Sequence, residues 1–445
     1  MAVAGAGPAG MAAAFRLARA GARVTVFEAA ASVGGRARTA EVGGVRVDVA
    51  SQLFGSPYRR FLALLAEAGG AELLVRTSGR DALWRGGRAH EVVYGSPTSM
   101  LASGALPFGL KLKLGAVYLP FLHRHAGVLE MDALERAARA GLDRESAAAW
   151  GAREMGRDFV DLLVHPLLAT LYGTGADETS AGFYHALARQ GMSLDVLAIR
   201  RGSSAFCDLL ARAVALREGE VRTSIPVRAV EAGASGVEVS GDGWSERFDA
   251  AVVAVPAPAA RAIAGSGMPA MGEWLAGVAV RPTVTVALVT DRPLGTRWFG
   301  LSYARGESRA VAAACVQEAK ETALVPHGMG ALLALPLPDV GPRLMDATPE
   351  QALGALLPDL AKPFPRLEAH LRAVEVFRWE HGWTVFRPGS LEHLARARAG
   401  ALESDPRVAF AGDYLHAPNV EGAVVTGLGA ADRVLSALRL PSSAG

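Results

Sequence analysis

The eight residues from Val3 to Gly10 (VAGAGPAG) place glycines at positions 5, 7 and 10, and their surroundings restrict the fold sharply. A small apolar run precedes them. Residues 11–20 (MAAAFRLARA) read as an alanine-rich helix stopped by Gly21, and residues 22–27 (ARVTVF) as a β-branched strand ending at Glu28. A strand, a glycine turn, a helix and a second strand in this order predict an α/β fold with a parallel, Rossmann-like sheet. Each glycine has its own task. Gly5 permits the tight turn, Gly7 lets the backbone approach a pyrophosphate, and Gly10 allows the helix to pack closely on the strand. Pro8 and Ala9 then open a helix whose positive N-terminus faces the phosphates. Glu28, with Ala29 beside it, is placed to accept hydrogen bonds from the adenosine ribose, and its charge disfavours the 2′-phosphate of NADP.

The remaining chain is long enough to complete such a sheet and to add a second unit. Of 445 residues 51% are hydrophobic and 20% charged, a globular composition for two or three domain-sized pieces. The formal net charge of +2 argues against a nucleic-acid partner, which needs a basic face. Cys207 and Cys315 are too few for a disulfide framework or a zinc site, so no metal and a reducing, cytoplasmic compartment are expected. No charged n-region precedes Gly5, so no signal peptide is read. The apolar stretch 101–122 contains Pro107, Lys111, Lys113 and Pro120 and does not span a bilayer. It is expected to form a helix lining a substrate cavity; peripheral membrane contact is the second reading of the same residues.

Val33-Gly-Gly-Arg-Ala-Arg-Thr39 follows the second strand. Paired glycines let the backbone, through Gly35, pack against a long cofactor, and Arg36 supplies a cation for its pyrophosphate. Together with Glu28 this block resembles the amine oxidase, protoporphyrinogen oxidase and phytoene desaturase superfamily of FAD enzymes, whose members carry a glutamate, a short spacer and G-G-R-x-x-T. The resemblance recurs downstream. Residues 201–215 and 221–230 are similar to the helix and strand leading to an adenine-contacting valine, here Val227, and residues 248–256 to the strand that returns to the dinucleotide fold. Residues 408–413 resemble the closing strand, whose acidic residue, here Asp413 after Gly412, contacts the ribityl and phosphate region. The last helix opens on Glu421, Gly422, Ala423 and Val424, and the resemblance implies that its N–H groups point at the flavin N1/O2 edge, where they stabilise the anionic reduced ring. Where the family has an aspartate and a glycine pair, this chain has Asp48 followed by Val49-Ala50-Ser51-Gln52. The backbone of Ser51, Gln52 and Leu53 is therefore expected to sit differently beside the flavin, with Gln52 pointing at the ring or the substrate.

Because these blocks are scattered, the FAD-binding domain is expected to be assembled from residues 1–75, 196–270 and 400–445. Residues 76–195 and 271–399 are left as an α+β substrate domain with a mixed sheet and a helical lid. Within it, residues 83–93 read as a hairpin, 282–290 and 330–336 as strands, and 130–195 as helices broken at Gly141, Gly156 and Gly173. Residues 381–389 (HGWTVFRPG) resemble the segment presenting one wall of an aromatic cage, which implies that Trp383 lines the substrate side of the flavin. The second wall falls on Asn419, which is not aromatic, and residues 283–289 hold no counterpart of the family's flavin-proximal lysine. A cage needs two π faces to hold an amine nitrogen. Its loss favours a protoporphyrinogen-oxidase-like or desaturase-like oxidoreductase that removes hydride from a C–H or C–N bond of a small, largely apolar substrate. O2 or another acceptor would reoxidise the flavin, and Asn419 would donate a hydrogen bond to substrate. Amine or amide oxidation to an imine and a non-redox mutase or isomerase remain alternatives. Tyr172, His165, Arg387 and His416 are further polar residues weighed for the cavity.

Overall fold

Strand β1 (Ala2–Ala4), the apolar run before the glycines, is buried throughout. It pairs in parallel with β2 (Thr25–Phe27) on one side and with Ala251–Val253 on the other. Glu220–Arg222 extends the sheet past β2 and Val408–Phe410 extends it past Ala251–Val253, giving five parallel strands. Alternate side chains feed two cores, as the strand period requires. Val3, Val26 and Val252 pack among helices α1 (Pro8–Arg19), α2 (Arg59–Glu67) and the last helix, α3 (Val420–Ala437). Ala2, Phe27 and Val253 face the opposite core, with Ile263 and Trp274. The computed structural model describes residues 1–93, 95–265, 267–320, 324–398, 402 and 405–440. The expected boundary at 399/400 lies outside them.

A second sheet carries seven strands. Its edge strand β4 (Leu371–Thr384) pairs with β3 (Val280–Thr290), followed by Gly330–Pro336, Val311–Val316, Gly300–Tyr303, Arg80–Arg85 and Arg88–Val93. The pairings are antiparallel except that of Gly300–Tyr303 with Arg80–Arg85, so the sheet is mixed. The hairpin Arg80–Arg85/Arg88–Val93 turns on Gly86 and Gly87, both at positive φ. Helices Ala147–Glu154, His165–Tyr172 and Ala181–Gly191 occupy the segment read as helical, and Gly173 ends the second of them in the left-handed region.

Two local expectations change. Residues 221–230 are not one strand: Glu220–Arg222 joins the parallel sheet, whereas Ala229–Gly233 starts a separate three-stranded antiparallel sheet. Pro226, which has no N–H for a ladder, lies in the break. None of the residues 101–122 lines the large cavity described below. It folds into short pieces, Phe108–Lys113 and Leu119–Arg124 joined by a wide turn, that bury Leu110, Tyr118 and Leu122 in the helical core. Phe108 is left 80% exposed and Leu112 63%. Among the described residues no helix is long and apolar enough to cross a membrane.

Candidate active site

The glycine turn has the geometry its spacing predicts. Gly5 has φ +99°, and a Cβ on Gly10 would lie 1.8 Å from the Gly5 carbonyl oxygen, so neither position tolerates a side chain. A Cβ on Gly7 would meet nothing nearer than Gly35 Cα at 3.9 Å, so this backbone faces open space. Gly7 is the N-cap of α1 without any side-chain partner, and Pro8 follows it. The helix therefore presents uncapped N–H groups to that space. Glu28 is locked at the rim: its Oε2 accepts from the Ala6 N–H (2.7 Å) and its Oε1 from the Ala30 N–H (2.9 Å). A carboxylate has lone pairs left over for ribose hydroxyls.

From this turn a cavity of about 860 Å³ runs to the face of the mixed sheet. Gly5, Gly7, Pro8, Ala9, Glu28, Ala29 and Val227 line it, as do Gly35, Arg36, Ser51, Gln52, Leu53, Gly412, Asp413 and Ala423. Trp383 and Asn419 border the same space. Arg36 donates to Asp413 Oδ1 (2.8 Å) and to the Gly382 carbonyl (3.2 Å), and Thr384 Oγ1 donates to Asp413 Oδ2. The arginine thus ties the G-G-R turn to the end of β4 and keeps further N–H groups free for a phosphate. An open glycine floor, an uncapped helix start, an acidic ribose acceptor and an adjacent guanidinium fit FAD.

Gly10, as its spacing predicts, and three residues expected at the cofactor, Glu421, Gly422 and Val424, lie behind the wall. Gly10 serves helix packing. Gly422 does the same, since its Cβ would sit 2.1 Å from the Ala417 carbonyl oxygen, and Val424 is buried in the core. Glu421 caps a different helix: its two oxygens accept from the Arg60 and Phe61 N–H groups, each at 2.8 Å, at the start of α2. Burial pushes this carboxyl up against the pull of those two donors. The start of α3 reaches the cavity through Val420 and Ala423. Asn419 is its N-cap, with Oδ1 accepting from the Gly422 N–H at 2.8 Å.

Gln52 also departs from expectation. Its Nε2 donates to the Asp48 (2.5 Å) and Ala50 (3.0 Å) carbonyls, and its Oε1 accepts from Gln317 Nε2 (2.9 Å). Although Gln52 borders the cavity, its amide atoms are thus engaged in fastening the non-glycine loop. Beneath it Asp48 Oδ1 accepts from Thr39 Oγ1 (2.6 Å) and the Ser203 N–H (2.8 Å), while Oδ2 pairs with Lys320. Both members of that ion pair are fully buried. Lys320, far from Asp48 in the chain, carried no sequence signal.

On the substrate side Trp383 packs its indole on Gly173, where a Cβ would lie 2.2 Å from Nε1. Tyr172 lines the cavity facing the Asn419 amide, and burial raises its phenol to about 12. Tyr58, Thr283, Thr285, Phe299 and Trp379 complete this end. Trp379 Nε1 donates to Thr285 Oγ1, which donates to the Val49 carbonyl. His165, Arg387 and His416 are not brought to the cavity; His416 lies buried beside Asp132.

A parallel dinucleotide-binding sheet and a mixed sheet that close on one cavity define an FAD-dependent oxidoreductase. The family model of flavin-containing amine oxidoreductases matches residues 8–435, and the chain belongs to that family. A coproporphyrinogen III oxidase of Mycobacterium tuberculosis is 27% identical over 98% of this chain and 96% of its own. Among solved structures, cyclohexylamine oxidase of Brevibacterium oxydans superposes with a TM-score of 0.75 at 21% identity, covering 98% of this chain and 99% of that one. An Exiguobacterium protein assigned as a protoporphyrinogen oxidase does so with a TM-score of 0.75 at 19% identity, over 98% of each chain. At those identities the two structures speak for the fold.

Proposed function

We propose that this enzyme dehydrogenates a porphyrinogen-class ring, removing hydride from a C–H bond and a proton from the adjoining N–H, with O2 or another acceptor taking the electrons. FAD supplies the hydride acceptor. The observation that carries the reading is position 419. Asn419 stands where the resemblance puts the second cage ring, and its carbonyl caps α3. Among the described residues no lysine lines the cavity, and Thr283 and Thr285 occupy that stretch of β3. A cage with one of its two walls missing holds an amine nitrogen weakly, whereas the other aromatic side chains of this end, Tyr172 and Trp379 among them, suit the body of a large ring. The end-to-end match to a relative named coproporphyrinogen III oxidase supports the same class. Trp383 and Tyr172 would hold the ring, Arg36 and Asp413 would fix the loop beneath it, and the helix His165–Tyr172 would shield it from water.

Amine oxidation is the second reading, because Trp383 retains one cage wall. Anaerobic mixing of the holoenzyme with coproporphyrinogen III, cyclohexylamine or putrescine separates the two. The porphyrinogen should bleach the flavin and, in air, yield a porphyrin Soret band. Bleaching by either amine and not by the porphyrinogen would replace this proposal with amine oxidation.

A further inference from the structure

Arginines 36, 38, 228 and 378 line the cavity, and their partners differ. Arg36 pairs with Asp413, Arg228 with Asp242, and Arg378 donates to the Met345 and Ala347 carbonyls. Arg38 forms no ion pair with any carboxylate among the described residues, and its Nε is buried without a hydrogen-bond partner. Its guanidinium lies over Trp379 and Phe377 on β4, 5.2 and 5.7 Å from the ring centroids. The two rings hold the cation and strip water from one side of it. An unpaired N–H in such a place lowers stability unless something binds there.

We propose that Arg38 receives a carboxylate of the substrate. A guanidinium steadied on aromatic rings presents a planar fork that matches a carboxylate with paired hydrogen bonds. Its neighbours point to substrate and not to cofactor phosphate. Arg38 rests on β4 beside Trp379, which is bonded to Thr285 of β3, whereas the open glycine floor and Arg36 lie at the G-G-R turn. A ring bearing carboxylates on its rim would place its apolar body against Trp383 and one acid on Arg38. The inference rests on the proposed function only in setting substrate at the mixed-sheet end of the cavity.

The test titrates holoenzyme with coproporphyrin III and its methyl ester, and with benzoate and benzamide, following flavin absorbance and fluorescence. The wild type should bind each acid at least about tenfold more tightly than its neutral partner. Arg38→Met, which keeps the stem on the rings, should bring that ratio close to one with FAD content unchanged, and Arg38→Gln gives a second neutral variant should the first fail to fold. No acid preference in the wild type, or its persistence in either variant, overturns the proposal. Loss of FAD from the variants with the acid preference intact also overturns it and assigns Arg38 to the cofactor. An Arg38-dependent preference for benzoate, with neither porphyrin bound, would uphold the carboxylate site while removing the porphyrinogen reading.

Discussion

Gly173→Ala should damage turnover more than stability, because the glycine holds the Trp383 indole at closer range than any other residue permits. Two penalties arise. Gly173 has φ +54° and ψ +34°, and a left-handed alanine there costs about 1–2 kcal/mol. The added Cβ would also lie 2.2 Å from Trp383 Nε1 and 2.4 Å from Cδ1, so one partner must retreat by about 1 Å to regain an ordinary contact. The backbone at Gly173 resists that move, since its carbonyl accepts from Arg281 Nη1 (3.1 Å) and Arg281 is paired with Glu178 (2.6 Å). The indole, which borders the cavity, gives way instead. A displacement of that size at a substrate-positioning wall lowers kcat/KM about 100-fold. Stopped-flow flavin reduction measures the loss, and urea unfolding of the same preparation should show only the backbone penalty. Combining Gly173→Ala with Trp383→Ala should add little to either single change. A Gly173→Ala enzyme with near-wild-type kcat/KM, beside a crippled Trp383→Ala, would refute the steric argument.

Glu28→Ala removes the acceptor shared by Ala6, Ala30 and the ribose, and should weaken FAD retention by about 1.5–3 kcal/mol, read as flavin per chain after dialysis. Lys320→Met leaves the buried Asp48 carboxylate without its counter-ion and should destabilise by about 3–5 kcal/mol in urea, with Asp48→Asn restoring part of the loss. His185, wedged between Phe121 and Trp150 with Nδ1 on the Tyr118 hydroxyl and Nε2 unpartnered, is lowered by burial to about 3. The unfolded chain takes up its proton near pH 6.5, so the stabilisation is complete above that pH and falls towards pH 3 with a limiting slope of about 1.4 kcal/mol per pH unit. His185→Leu should flatten the decline of Tm between pH 6.5 and 4; an unchanged decline would place the acid sensitivity elsewhere.

What could be read from the sequence was whatever neighbouring residues decide together. The glycine turn, Glu28 and four of the seven strands of the mixed sheet (the hairpin in 83–93 and the strands in 282–290 and 330–336) follow from local spacing and periodicity, whereas Gly300–Tyr303, Val311–Val316 and Leu371–Thr384 were not read. What escaped depends on partners hundreds of positions away. Glu421 looks like a ligand until the N–H groups of Arg60 and Phe61 are brought to it, and Gln52 looks like a ring contact until Gln317 arrives. Arg38 reads like Arg36 until the fold brings Asp413 to one and the rings of Phe377 and Trp379 to the other. Hydropathy has no direction either: the stretch 101–122 is as apolar as expected, but helix phase sends Leu110 and Tyr118 inward and Phe108 and Leu112 outward. The substrate wall was blurred by an irregular register, in which Arg281 and Thr283 of β3 face Trp383 and Trp379 of β4, so strict alternation fails there.

The meeting of the first and last helices has a consequence for biosynthesis. A Cβ on Gly427 would sit 2.1 Å from the Ala9 carbonyl oxygen, so α3 presses directly on the turn of α1 that opens the glycine site. Between them β1 takes its neighbours from residues 25–27 and 251–253, and the sheet closes only with 408–410. A ribosome therefore emits the nucleotide motif about 400 residues before its support, and the half-made chain must wait with an unfinished parallel sheet. Cofactor capture therefore waits until α3 has been made, and a chain truncated before residue 420 should be colourless although it holds every residue of the glycine motif.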